Sequence, residues 1–216
     1  AAEAAAEEAA ALAAAESTSG YQISPGADLS YADLNRADLN REDLTGANLS
    51  YATLRISDLS YADLNGADLN YADLSYADLR YINLSYAYLD RADLIGANLT
   101  GADLYGANLY YANLMGADLT DADLSFADLS YADLSYANLN DANLNGANLY
   151  YANLGDADLT NANIEGAINI PSDVDTSGAI FIAPEPIPSI EPEIELNPNK
   201  LPTPKINETG AKFGYQ

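Results

Sequence analysis

Between Gly26 and Gly166 a leucine falls on every fifth residue, from Leu29, Leu34 and Leu39 through Leu149, Leu154 and Leu159, with Ile164 closing the series. That makes twenty-eight sites without a skip. Two residues before each stands an alanine, except at Glu42, Ser57 and Ile82. Directly before each comes Asp at sixteen sites and Asn at ten, leaving Thr53 and Tyr88. A period of five suits neither an ordinary helix, which repeats every 3.6 residues, nor a strand, which alternates. Short fixed self-similarity predicts a solenoid, in which each unit buries its apolar residues only by stacking on its neighbours.

A second period lies inside the first. Two residues after the leucines, steps of twenty give Tyr31, Tyr51, Tyr71, Arg91, Tyr111, Tyr131 and Tyr151. A parallel column gives Gly26, Gly46, Gly66, Tyr86, Gly106, Phe126, Gly146 and Gly166. Residues twenty apart therefore share an environment, which predicts four five-residue sides per coil. With coils stacked at ~4.8 Å, about seven of them make a square rod on the order of 34 Å long.

The run Ala27–Asn35 (A-D-L-S-Y-A-D-L-N) and its successors resemble the pentapeptide-repeat family, whose pattern is A-(D/N)-L-x-x. The resemblance covers Gly26–Gly166. It implies an all-β solenoid, a right-handed quadrilateral β-helix with the central Leu and the preceding Ala pointing inward. Packing favours the same pairing, because large and small side chains together fill a narrow tube without voids.

Three segments are expected. Residues 1–20 are rich in Ala and Glu, and Ala1–Ala15 reads as a short helix that caps the open first coil or serves as a linker. Residues 21–170 hold the β-helix. Residues 171–216 form an extended tail with eight prolines. Ile168 and Ile170 are expected to seal the last coil where the beat stops. Ile180, Phe181, Ile182, Ile190, Ile194 and Leu196 are candidate docking residues of the tail, either on its own rod or on the end of the next molecule. The alanine-rich start, with Ala rather than Met first, is compatible with export.

Charge adds two readings of the surface. Gly26–Gly166 carries twenty Asp with Glu42 and Glu165 against five Arg, all of the arginines before Asp93. Spread along the rod this is about one net negative charge per 2 Å, close to the one per ~1.7 Å of duplex DNA. Some pentapeptide-repeat proteins imitate DNA in the binding saddle of type II topoisomerases. The resemblance thus implies Asp103, Asp118, Asp123, Asp128, Asp133 and Asp158 as candidate phosphate substitutes. The alternative is that Asp or Asn before each leucine bonds nearby backbone at a turn, a job that needs the oxygen and not the charge. The topoisomerase-directed members also pair through a C-terminal helix, and none is visible in this sequence.

The tyrosine column Tyr31, Tyr51, Tyr71, Tyr111, Tyr131 and Tyr151, with Tyr110 and Tyr150 on the same side, is the other feature above background. It reads as an aromatic ladder stiffening the rod, at ~0.5–1.5 kcal/mol per ring pair, or as a docking face for a protein partner. The glycine column reads as structural, marking a corner where a side chain would crowd.

Catalysis finds no support in the residues. The chain has no Cys and no His, so cysteine chemistry and the commonest general base and metal ligand are unavailable. Its carboxylates fall on a regular convex array, not on a converging pair. No cofactor is implied, no apolar run is long enough to span a membrane, and no direct nucleic-acid binding is expected. The expectation is a non-enzymatic interaction or structural scaffold that self-associates or binds a protein. Its alternative is a DNA-mimicking modulator of a type II topoisomerase.

Overall fold

The computed structural model describes residues 20–172, 174 and 176–179. The helix expected over Ala1–Ala15 and the six tail docking residues lie outside the described residues. Within them, the residue before each leucine pairs in parallel with the residue twenty positions on: Asp28 with Asn48, Asp33 with Thr53, Asp38 with Asp58, Asp43 with Asp63, and so on to Asn148 with Ile168. Pairing at every fifth residue and closure at the twentieth give a quadrilateral β-helix. Its sides carry one bridging residue each.

A five-residue side in the interior of the rod uses all of its amides, as Ala47–Tyr51 illustrates. Ala47 N–H donates to Leu44 O across the corner at 2.9 Å. Asn48 N–H reaches back to Ala27 O at 2.8 Å, and Leu49 N–H reaches forward to Asp68 O at 2.6 Å. Tyr51 N–H donates to Asn70 O at 3.0 Å. The remaining amide, on Ser50, has a side-chain acceptor, Asn48 Oδ1 at 3.0 Å. The Asp or Asn before the leucine is therefore the fifth acceptor of its side, and a buried or half-buried amide needs one.

All sixteen Asp and ten Asn at that position accept from the amide two residues on. An Asp or Asn bonding backbone two residues on is the local turn these residues favour. Thr53 and Tyr88 cannot play this part. There Asn35 Oδ1 of the coil before accepts from Arg55 N–H at 2.9 Å, and Asn70 Oδ1 accepts from Asp90 N–H at 2.8 Å.

The core is the expected one. Every leucine from Leu29 to Leu159, and Ile164, is at most 5% exposed. Fully burying a leucine stabilises by ~1.5–3 kcal/mol, so this line is the main favourable contribution. The exceptions among the alanines adapt separately. Ile82 is buried, Ser57 is buried with its hydroxyl on Leu54 O at 2.5 Å, and Glu42 is exposed.

Both ends of the rod are covered in part by flanking chain. At the start Ile23 packs on the core, and Tyr21 Oη accepts from Asp33 N–H at 3.1 Å, in the place that a backbone carbonyl of the preceding coil takes further along the rod. At the far end the beat outlasts Gly166, against expectation. Ile168 pairs with Asn148 in the bridging position of another side, which points it outward and leaves it 53% exposed. It therefore does not seal the coil. Ile170, Val174 and Ala179 pack on the core instead, and Asn161 N–H donates to Gly178 O at 2.8 Å.

Candidate interaction face

The residue two after each leucine turns the corner, and it does so in the left-handed backbone region whatever its side chain. Tyr31 has φ of 59°, Tyr71 60°, Ile56 58° and Gly106 62°. This conformation throws the side chain outward and sets residues twenty apart directly above one another. The tyrosine column becomes a stack. Ring centroids lie 4.9 Å apart for Tyr31–Tyr51 and 4.8 Å for Tyr51–Tyr71, with planes within 3° of parallel. Tyr111–Tyr131 follow at 4.7 Å and Tyr131–Tyr151 at 5.3 Å.

Arg91 fills the rung between the two halves. Its guanidinium carbon lies 5.7 Å from the Tyr71 ring and 5.3 Å from the Tyr111 ring, and its Nη1 donates to Tyr71 Oη at 3.1 Å. All six sequence-predicted tyrosines thus share one corner. Tyr110 and Tyr150 join them edge-on, at 4.6 Å from Tyr111 and 4.4 Å from Tyr151. Burial and the neighbouring Tyr111 raise the Tyr110 phenol above its usual range, and the Tyr151 hydroxyl does the same for Tyr150.

Other aromatic corners escaped the sequence reading. Tyr61 stacks on Tyr81 at 5.1 Å, with Arg41 over Tyr61 at 5.4 Å. Tyr105 lies edge-on between Tyr86 and Phe126 at 5.4 and 5.6 Å. The missed signal is an aromatic followed twenty residues later by glycine. A Cβ on Gly96, Gly101 or Gly146 would stand 2.8, 2.6 or 2.7 Å from the ring of Tyr76, Tyr81 or Phe126. Crowding therefore explains Gly106 and Gly146 of the glycine column. It does not explain Gly46 and Gly66, where a Cβ would meet open space and the left-handed φ alone favours glycine.

The six candidate phosphate substitutes do not form one track. Asp103 and Asp123 pair on one side, Asp118 and Asp158 belong to a second through Asn138, Asp128 lies on a third and Asp133 on the fourth. Each also holds a turn through Oδ1. Hydrogen bonds from the Thr160 hydroxyl and amide, with Asn140 adding, keep the Asp158 carboxyl below its usual range. Among the described residues no group of three acidic, His or Cys side chains is placed to hold a metal ion, and no helix is long and apolar enough to cross a membrane.

The geometry has counterparts among known proteins. The pentapeptide repeats match in eight copies over residues 26–55, 54–85, 82–121 and 127–166. HetL, a pentapeptide repeat protein involved in heterocyst differentiation regulation from the cyanobacterium Nostoc sp. strain PCC 7120, is 37% identical over 71% of this chain and 84% of its own, with a TM-score of 0.28. A pentapeptide repeat protein of the Arabidopsis thaliana thylakoid lumen is 31% identical over 51% of this chain and 70% of its own, with a TM-score of 0.27. A trypsin-treated form of QnrB1, a plasmid-mediated fluoroquinolone resistance protein, superposes with a TM-score of 0.55 at 20% identity over 72% of this chain and 76% of its own. No curated protein matches the chain. With repeats matched over more than half its length, and with parallel pairing at every twentieth residue, this chain belongs to the pentapeptide-repeat family and has its right-handed quadrilateral β-helix fold.

Proposed function

We propose that the chain is a non-enzymatic protein-interaction scaffold whose tyrosine corner is the docking face. The observation that carries this reading is the balance of energies in the ladder. An L-residue in the left-handed region costs roughly 1–2 kcal/mol, and a stacked neighbour returns about 0.5–1.5 kcal/mol. The ladder is then nearly neutral for the rod, and stability alone gives no reason for tyrosine over glycine or asparagine at these corners. Presentation of exposed, aligned rings does give a reason, since tyrosine is favoured at interfaces. Pentapeptide-repeat proteins are generally structural or interaction proteins, which agrees.

The test replaces Tyr31, Tyr51, Tyr71, Tyr111, Tyr131 and Tyr151 by asparagine, which tolerates the corner φ. The rod is expected to keep its circular dichroism while losing proteins that the immobilised wild type captures. Identical capture by both forms overturns the reading. Assembly through the segment 171–216 is a separate proposal, and an unchanged monomer mass by light scattering before and after deleting 180–216 ends it.

Modulation of a type II topoisomerase is the second reading, favoured by the rod's linear charge density alone. The likeness to QnrB1 concerns fold and adds nothing to it. Spread over four sides and engaged in turns, the carboxylates favour it less than the ladder favours docking. It predicts inhibition of DNA supercoiling that fades above ~0.2 M salt. No inhibition at micromolar protein removes it.

A further inference from the structure

The two terminal rungs of the tyrosine ladder differ from the interior ones. Tyr51, Tyr71 and Tyr111 are 40–46% exposed because both ring faces are covered. Tyr31 is 73% and Tyr151 is 67% exposed, each stacked, among the described residues, on a ring at one face only. Beyond Tyr151 lies a cleft of about 390 Å³ lined by Tyr150, Tyr151, Asn169, Ile170, Pro171 and Ser172. Its lining carries no charge, with two aromatic, two apolar and two polar residues, and it belongs to a chain of net charge −25.

The same column shows what fits such a place. Between Tyr71 and Tyr111 the rung is a guanidinium, held by ring faces on both sides. A planar, weakly hydrated cation suits an aromatic face, whereas a compact ammonium suits it less. We propose that the cleft beyond Tyr151 receives an arginine side chain from a basic segment of a partner protein, stacked as the next rung of the ladder. Tyr151 supplies the ring face, Tyr150 the edge beside it, and the acidic rod draws the basic segment in. The rod of a second copy does not supply such a basic segment, since its charge has the same sign. This inference rests on the interaction-scaffold reading and names its partner's chemistry.

The test measures anisotropy of labelled octa-arginine, octa-lysine and a neutral proline-rich octapeptide with the full chain at 0.15 M salt. Octa-arginine is expected to bind about three- to five-fold more tightly than octa-lysine, with the neutral peptide weakest. Tyr151→Gly, which keeps the corner φ, is expected to bring arginine binding down to the lysine level and leave lysine binding unchanged. Tyr151→Phe is expected to keep the preference. Equal binding of the two cationic peptides, an arginine preference that survives Tyr151→Gly, or tighter binding of the proline peptide each overturns the proposal. If the preference is absent while the six-tyrosine variant still loses captured protein, arginine recognition fails and the scaffold reading stands. If neither effect is seen, both fail.

Discussion

Asn35 Oδ1 accepts from the Arg55 amide, 2.9 Å away and twenty residues on. Thr53, the residue that should serve that amide in its own side, cannot, and the coil before supplies the missing acceptor. Removing it strands a backbone donor. Asn35→Ala is expected to destabilise the rod by about 1 kcal/mol, the low end for an amide left without a partner near the surface. Adding Thr53→Asp restores the local acceptor and should recover most of the loss. Urea unfolding of the two variants checks this, and equal stability of the single and double variants would refute it.

Ile56 is the one β-branched residue among the left-handed corners with φ of 58°, and its side chain is 54% exposed. It carries the full steric cost of that region with modest burial in return. Ile56→Asn is therefore expected to stabilise the rod by roughly 1 kcal/mol. A rise in Tm would show it, and a fall would mean that packing of the Ile56 side chain outweighs backbone strain.

Gly101 and Gly46 separate ring contact from backbone strain. Both have φ near +65°, but a Cβ on Gly101 would lie 2.6 Å from the Tyr81 ring while one on Gly46 meets open space. Gly46→Ala should cost roughly 1 kcal/mol from φ alone. Gly101→Ala should cost more, and the excess should vanish in a Tyr81→Ala background. An excess that persists without the ring would place the strain in the backbone.

Acid sensitivity follows from the turns. The Ser30 hydroxyl and amide hold the Asp28 carboxyl below the usual carboxylate range, and Thr45 and Thr160 do the same for Asp43 and Asp158. At Asp73 burial opposes the shift, but hydrogen bonds from Ser75 and Arg55 outweigh it. A carboxyl depressed in the folded state contributes stability that is fully present above its unfolded pKa and is lost as pH falls through the folded one. Stability should therefore decline below about pH 4. Carboxyl titration by NMR should give Asp28, Asp43 and Asp158 midpoints below that of an ordinary aspartate. Asp158→Asn keeps the turn acceptor and should remove that residue's share of the acid loss. Midpoints at or above the ordinary value would refute it.

The candidate face was legible in part. Tyr31 to Tyr151 could be aligned from spacing because every corner adopts one conformation, so equal spacing becomes equal direction. The rings over Gly96, Gly101 and Gly146 went unread, because the clue was an aromatic and a glycine at successive rows of one column, and a column was recognised by its uniformity. Ile168 was misjudged for a related reason: its apolarity suggested burial, yet two residues after Gly166 it falls in the bridging position, which faces out.

The leucine beat and the step of twenty determined the lap, the buried line and the column in which the tyrosines meet, since each depends only on which residues recur at a fixed interval. Stacking alone decided that Asn35 and Asn70 serve the amides of Arg55 and Asp90, that Arg91 stands in for a ring, and that Tyr151 is the last rung of the ladder among the described residues. Those outcomes depend on how far a side chain reaches from one coil to the next, a distance fixed only when the coils have been laid one upon another.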